Sequence, residues 1–318
     1  MTSIRILWIG GGSLGLMFAA RCALAQEGTN ALLVRNEQQY HILNGQGLEL
    51  IGDDGRFTAF LPCFQNVPPA DSRDSWDWIA LMVKQTHLAD ERTAVQLETL
   101  ASLYPHANWV CFQNGTGHIE RLSSIIPRER LHIAVTTEAA RKLDDRTVHH
   151  TGRGMTFIGS PEAAPGPEYQ EKMLIQALGK AGFDARVSNN IKETVWKKLL
   201  INAVINPLTA ILRIRNGELL ESRERIDWMR ELFQEGLAVA RAEGVNLSPG
   251  LWEELLSVCR RTANNHSSML QDIMNGRRTE MEWINGSLLK AGARHGLELP
   301  AHAAVVRRIR EMERDNRG

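Results

Sequence analysis

An α/β domain built on a parallel sheet, followed by an all-α domain, is the fold that the 318-residue sequence predicts. Three observations predict it. Short apolar runs alternate with helix-period patterns through the first half, which is the signature of a parallel sheet covered on both faces. A glycine-rich turn directly follows the first of those runs. Long helical periodicities then dominate from Ile191 onward, and the shift places the domain boundary at Ser188-Asn189-Asn190, dividing the chain into 1–188 and 189–318.

Taken in order, strand-like runs are expected at Ile4–Ile9, Ala31–Val34, Trp78–Val83, Trp109–Phe112 and Leu131–Thr137. Helical patterns fall between them at Leu14–Gln26, His87–Leu103 and His118–Ile126. The polar Gly52-Asp53-Asp54-Gly55 reads as a hairpin turn joining Leu48–Ile51 to Phe57–Phe60. Short extended pieces follow across Thr147–Ile158, punctuated by Gly152, Gly154 and Gly159. A proline-rich stretch (Pro161, Pro165, Pro167), one helix and the run Phe183–Val187 close the first half. The second half reads as helices at Ile191–Asn206, Arg223–Glu243, Pro249–Asn264 and Met281–His295, with a charged final helix from Ala301. Its mixed-charge end, Arg307 to Arg317, reads as a solvated face.

Composition excludes several function classes. Thirty-seven basic residues balance thirty-seven acidic ones, so no net positive field exists to hold nucleic acid. The four cysteines (Cys22, Cys63, Cys111, Cys259) form no Cys-x-x-Cys pair, which argues against a zinc ribbon or a disulfide framework. The ten histidines show no ligand spacing, and His149-His150 reads as a strand end; no metal is expected. The first residues lack the pattern of a signal peptide. The longest apolar stretch, Leu199–Leu212, is interrupted by Asn202, Asn206 and Pro207 and is shorter than a membrane span. A cytoplasmic protein is expected. An apolar helical domain can bury surface in a homodimer, but nothing in the pattern requires one.

Gly10-Gly11-Gly12-Ser13-Leu14-Gly15 contains Gly-x-Gly-x-x-Gly. Because it follows an apolar strand and opens a helix, it reads as a dinucleotide fingerprint of the Rossmann type. Gly10 permits the tight turn, Gly12 lets the backbone approach a pyrophosphate, and Gly15 lets helix and strand pack closely. The pyrophosphate then meets unpaired N–H groups at the helix's positive end. An NAD site places a carboxylate about 20 residues further on, to bind the ribose 2′-hydroxyl. This sequence has Arg35 instead, followed by Asn36. A guanidinium grips a 2′-phosphate that a carboxylate would repel. Lys84 is a second cation at a strand end, and the pair points to NADPH.

Lys198, Asn202 and Asn206 recur at i, i+4, i+8 and so share one face of a helix that is otherwise apolar nearly all round. Desolvation in such a setting lowers a lysine's pKa towards neutrality, as a proton donor working near pH 7 requires. The plainer alternative is a snorkelling lysine, with two asparagines capping a helix that Pro207 breaks. Further on, Ser267-Ser268-Met269-Leu270-Gln271-Asp272-Ile273 and Arg277-Arg278-Thr279-Glu280 cluster hydroxyls and a carboxylate between helices. A solvated loop accounts for that cluster equally well.

These blocks, together with Gln113-Asn114-Gly115, Asn206-Pro207-Leu208-Thr209-Ala210 and Asn216-Gly217-Glu218-Leu219, resemble the ketopantoate reductases, in the same order and from the first strand to about Gly296. The resemblance implies a Rossmann-type domain joined to an all-helical one, with the active site in the cleft between them. It implies NADPH-dependent reduction of 2-dehydropantoate to (R)-pantoate, a step towards pantothenate and coenzyme A. It further implies that Lys198 protonates the ketone oxygen and that Asn202, Asn206 and Asn216 orient the substrate's oxygens. Ser268 would bind the carboxylate, Asn114 would contact nicotinamide ribose and substrate, and Glu280 would sit near cofactor and substrate hydroxyl. Ala140 would line the cofactor cleft through its backbone. One residue departs from the pattern: Glu138 stands where close relatives can carry a histidine, which leaves the substrate pocket open to alteration. Two other readings keep the same motifs. One is a paralogous reductase of another branched or aromatic 2-keto acid; the other is a redox sensor that binds NADPH without turnover, which would have no need of Lys198 and Glu280. A 6-phosphogluconate-type dehydrogenase would want a phosphate-binding cluster in the helical half, and none is obvious.

Overall fold

The computed structural model describes residues 4–26, 28–68, 76–162 and 169–316. Pro165, Pro167 and Arg317 lie outside the described residues. The chain divides into two compact units, Met1–Gln113 with His118–Ile191, and Asn114–Gly117 with Lys192–Gly318.

The first unit begins β1 (Arg5–Ile9), α1 (Ser13–Leu24), β2 (Thr29–Leu33) and α2 (Glu37–Gln46). A hairpin follows, β3 (Leu48–Gly52) and β4 (Gly55–Ala59), paired antiparallel as its turn residues predict. Then come β5 (Cys63–Phe64), β6 (Trp78–Leu81), α3 (Gln85–Leu88), α4 (Glu91–Leu103), β7 (Asn108–Cys111) and α5 (His118–Leu122). The unit ends with β8 (Leu131–Thr136), β9 (Ala139–Lys142), β10 (Thr147–Gly152), β11 (Met155–Gly159), α6 (Tyr169–Lys180) and β12 (Asp184–Val187).

Its main sheet has eight strands in the order β12-β11-β8-β7-β6-β1-β2-β5. From β8 to β5 every pairing is parallel, whereas β11 runs antiparallel to β8. Strands buried on both faces carry continuous apolar runs, as Ile6-Leu7-Trp8-Ile9 and Trp78-Ile79-Ala80-Leu81 do. Trp8, Trp78 and Trp109 are fully buried within it, and Phe18 of α1 stacks on Phe183 at 4.1 Å. A second sheet, β4-β3-β10-β9, lies beside α1.

Three elements of this unit carry no readable pattern. The helix α2 buries only Gln39 and Leu43, so it lacks an apolar period, although Asn36 caps it by accepting from the Gln39 N–H at 2.7 Å. β5 is two residues long, and β9 buries none of its four residues. The expected helix His87–Leu103 is interrupted: Asp90 caps a fresh start at α4 by accepting from the Arg92 N–H. The helix after Gly117 stops at Leu122 rather than reaching Ile126.

The second unit holds α7 (Ile191–Leu212), α8 (Arg223–Ala242), α9 (Leu251–Arg261), α10 (Ser268–Met274), α11 (Asn285–Arg294) and α12 (Pro300–Asp315). Pro207 does not break α7, which continues to Leu212. An interior proline removes one helical hydrogen bond and usually costs about 3 kcal/mol or more. Against that, Leu199, Leu200, Val204, Ile205 and Leu208 of the same helix are buried in the unit's core, each contributing roughly 1.5–3 kcal/mol. At 22 residues α7 is long and apolar enough to cross a membrane, contrary to the shorter stretch read from sequence, but its apolar side chains are spent on this core. The segment Ser267–Glu280 is not a solvated loop either. It forms α10, capped by Ser267, and buries Ser267, Asp272, Thr279 and Glu280. The pattern Met281–His295 is a short 3-10 turn, Met281–Trp283, followed by α11.

Candidate active site

In the first unit, Gly10, Gly11 and Gly12 join β1 to α1. Gly10 has φ +124°, where an L side chain is strained. A Cβ on Gly15 would lie 2.0 Å from the Gly10 carbonyl oxygen, so the helix packs on the turn only without one. Gly12 differs. A Cβ there would meet nothing within 4 Å, and the N-terminus of α1 has no side-chain cap. The α1 terminus therefore presents uncapped backbone N–H groups beside open space, which fits a pyrophosphate. Behind the loop, the Gln39 amide donates to the Gly11 carbonyl at 3.1 Å. Ser13, first in α1, accepts from the Lys142 N–H at 3.0 Å. That bond sets β9, and with it Ala140, against the start of α1, while Leu14 packs on the unit's core.

Arg35 follows β2 and Lys84 follows β6, the two neighbours of β1 in the sheet. Burial lowers the pKa of His87 first, and the charges of Arg35 and Lys84 lower it further against an opposing Asp90. Arg35 also pairs with Asp90, Nη1 to Oδ2 at 3.1 Å, with both side chains about half exposed. Asp90 thus has two roles, capping α4 and orienting the guanidinium. Its only sequence signal is the cap position before Glu91-Arg92, which says nothing about Arg35.

Glu138 is explained by its partners. It is buried, and its Oε2 lies 2.7 Å from His150 Nε2. The Arg21 Nε–H of α1 donates to His150 Nδ1 at 3.0 Å. With Nδ1 accepting, the imidazole proton sits on Nε2 and is donated to Glu138. The carboxylate is therefore engaged in a buried chain that ties the β8–β9 bend to β10 and α1. His150 is a core histidine within β10, as the strand-end reading implied in part.

In the second unit, Lys198 and Asn202 are half-buried and Asn206 is buried, at successive turns of α7. Desolvation pulls the Lys198 ammonium down to about 8, and the Glu280 carboxylate opposes that shift. Glu280 is buried and accepts from the Asn114 amide, Nδ2 to Oε2 at 3.2 Å. The segment Asn114–Gly117 belongs to this unit, held also by the Thr116 N–H to the Trp283 carbonyl. Lys198, Glu280 and Asn114 are thus brought together. Ser268 is the exposed first residue of α10, and the neighbouring Ser267 hydroxyl lies 2.7 Å from that of Thr209, which ties α10 to α7. Asn216 is held differently: its amide donates to Thr262 Oγ1 at 2.9 Å, and its Oδ1 is buried with no partner.

Other chemistries are not supported. All four cysteines are buried and free, and burial pushes Cys259 up to about 11 and Cys63 and Cys111 to about 12. No thiolate nucleophile exists among them. Among the described residues no group of three or more His, Cys, Asp or Glu is placed to hold a metal.

Residues 6–163 match the family described as Ketopantoate reductase PanE/ApbA, and residues 190–313 match Ketopantoate reductase PanE/ApbA C terminal. A 2-dehydropantoate 2-reductase of Archaeoglobus fulgidus is 31% identical over 97% of this chain and 98% of its own. The structure of a probable 2-dehydropantoate 2-reductase from Bacillus subtilis superposes with TM-score 0.80 at 28% identity, covering 97% of this chain and 100% of that one. The same fold, at TM-score 0.88 and 24% identity over 98% of this chain and 100% of that one, occurs in a D-mandelate dehydrogenase bound to NADH and anilino(oxo)acetate.

Proposed function

The chain belongs to the ketopantoate reductase PanE/ApbA family of oxidoreductases, and from that membership we propose that it reduces 2-dehydropantoate to (R)-pantoate with NADPH. The observation that carries the proposal is a half-buried lysine whose pKa falls to about 8 beside a buried carboxylate. A donor so tuned is protonated at neutral pH yet releases its proton readily.

When bound, NADPH supplies a hydride for the ketone carbon. The N–H groups at the start of α1 would hold its pyrophosphate, with Gly10, Gly11, Gly12, Ser13, Leu14 and Gly15 forming the cradle. Arg35, oriented by Asp90, and Lys84 would take the 2′-phosphate, and Ala140 would meet the cofactor through its backbone. Lys198 would donate a hydrogen bond to the ketone oxygen, stabilise the developing alkoxide and transfer its proton there. Asn202, Asn206 and Asn216 would orient substrate oxygens, the buried Asn216 Oδ1 supplying an acceptor that the fold leaves unmatched. Ser268 would receive the carboxylate, and Glu280 would hold Asn114 and the charge of Lys198 in place. The proposal takes the protein to be cytoplasmic; the one helix among the described residues that is long and apolar enough to cross a membrane, α7, packs its apolar side chains into its own unit's core.

The D-mandelate dehydrogenase fold favours a second reading, reduction of an aryl 2-keto acid with NADH. The test is NADPH oxidation at 340 nm with ketopantoate, run beside NADH and 2-oxo-2-phenylacetate. Ketopantoate with NADPH should be the fastest pair, and Arg35→Ala should reduce the NADPH preference by about 10–100-fold, the worth of one charged hydrogen bond. Faster turnover of the aryl acid with no ketopantoate activity would replace the first reading with the second.

A further inference from the structure

Pro207 lies inside α7, and a proline has no N–H. The helical acceptor it leaves without a donor is the carbonyl four residues earlier, that of Ala203. A side chain fills the gap. Asn285, the first residue of α11, donates from Nδ2 to the Ala203 carbonyl oxygen at 2.8 Å. The same amide nitrogen lies 2.9 Å from His302 Nδ1, and His302 Nε2 lies 3.1 Å from the Leu232 carbonyl.

Donor and acceptor roles in this chain follow from the carbonyl at its end. The Leu232 oxygen only accepts, so His302 carries its proton on Nε2 and accepts at Nδ1. The Asn285 amide must then donate in both directions; turned over, its oxygen would face the Ala203 carbonyl. Asn285 and His302 are both fully buried, so water cannot substitute for either. Burial also lowers His302 to about 4, which keeps the ring neutral around pH 7.

Ala203 lies in the core between Asn202 and Asn206 along α7, two members of the polar stripe that begins at Lys198. Asn285 also follows closely on Glu280, whose backbone carbonyl accepts from the Ile284 N–H at 3.1 Å. One hydrogen bond therefore links the helix that carries Lys198 to the segment that carries Glu280. We propose that Asn285, held by His302, is a positioning residue: it replaces the helical bond that Pro207 lacks and sets Lys198, Asn202 and Asn206 in register with Glu280. This inference rests on the reading of that stripe as the proton-donating site.

The experiment is a double-variant cycle between positions 207 and 285, read by kcat, by the pH profile of kcat/KM and by thermal unfolding. Asn285→Leu should lower kcat about 10–100-fold, since small misplacements of reacting groups have that effect, with little change in KM for NADPH. It should also move the alkaline limb of the profile away from about 8, the value set for Lys198 by its surroundings. Pro207→Ala restores a backbone N–H and should alone leave kcat near wild type. Combined with Asn285→Leu it should recover most of the lost kcat, the position of the alkaline limb and the midpoint of unfolding. If Asn285→Leu does not fold, its effect is read in the Pro207→Ala background, where it should be small. A loss of tenfold or more in that background, or full activity in Asn285→Leu alone, overturns the proposal. Recovery of thermal stability without recovery of kcat overturns the positioning role and leaves only a structural bond. Wild type inactive on every 2-keto acid defeats the functional reading and the positioning role with it. In that case the thermal cycle alone decides whether Asn285 replaces the Pro207 bond.

Discussion

Lys198 gathers the residue-scale chemistry into one pKa. Burial disfavours the ammonium more than Glu280 favours it, so the group titrates near 8 instead of 10.5. The ketone needs the protonated form, so kcat/KM for reduction should be flat through neutrality and fall with unit slope above about pH 8. Lys198→Ala should reduce kcat by about 10²–10⁴-fold, measured as NADPH oxidation under saturating substrate. Stability should move the other way. Between 8 and 10.5 the unfolded chain holds a proton that the folded chain has released, so folding strengthens with rising pH there. At pH 7 the charged lysine therefore weakens the fold, by up to about 3 kcal/mol at ~1.4 per pKa unit. Lys198→Met should raise the unfolding midpoint while lowering kcat by about as much as Lys198→Ala does. An unchanged or lower midpoint would mean that Glu280 and its neighbours compensate the charge more fully than the lowered pKa implies.

At the scale of elements, the turn between β1 and α1 separates glycines needed for the fold from one needed for a ligand. Gly15→Ala would place a Cβ 2.0 Å from the Gly10 carbonyl, which must push α1 off the turn. It should lower the unfolding midpoint and nucleotide affinity together. Gly12→Ala meets nothing within 4 Å and should leave the midpoint within a few degrees of wild type. If the pyrophosphate occupies that space, Gly12→Ala should still weaken NADPH binding by tenfold or more, as seen by titration calorimetry (a ~1.4 kcal/mol loss). Equal affinity in wild type and Gly12→Ala would remove the pyrophosphate from this turn. A similar division holds at α7, whose hydrophobic burial keeps it helical past Pro207 while its polar stripe carries the site.

For the whole molecule, each compact unit contains one buried histidine held near pKa 4: His118 in the first, His302 in the second. Both ring nitrogens of His118 are buried without a partner, so its charged form has nothing to bind. Their folded pKa values lie below the ordinary 6.5, so the unfolded chain gains protons first as pH falls. Stability contributed by these neutral rings is present above pH 6.5 and is lost between about 6.5 and 4. By pH 4 each should have cost roughly 3 kcal/mol, at ~1.4 per unit. Denaturant unfolding at pH 7 and at pH 4 measures this, and His118→Phe should flatten the acid loss in the first unit. An acid loss of the same size in that variant would assign it to carboxylates instead.

Period and turn chemistry made much of the fold legible in the sequence. The parallel strands announce themselves because burial on both faces demands unbroken apolar runs such as Ile6–Ile9. The hairpin at Gly52–Gly55, the glycine turn, and the helical second half follow from equally local rules. The stripe Lys198, Asn202, Asn206 was visible because a helix repeats every 3.6 residues, whatever surrounds it. Elements such as α2, β5 and β9 were invisible because little of their surface is buried, and burial is what writes a pattern. Other features depend on residues far apart in the chain. Asp90 orients Arg35, Glu138 is satisfied by His150 and Arg21, and the Lys198 pKa is set by desolvation and Glu280. The continuity of α7 is the clearest case. Read locally, Pro207 ends the helix. Only the tertiary structure brings Asn285 to the Ala203 carbonyl, 82 residues distant, and a hydrogen bond across that separation leaves no trace in either segment's local pattern.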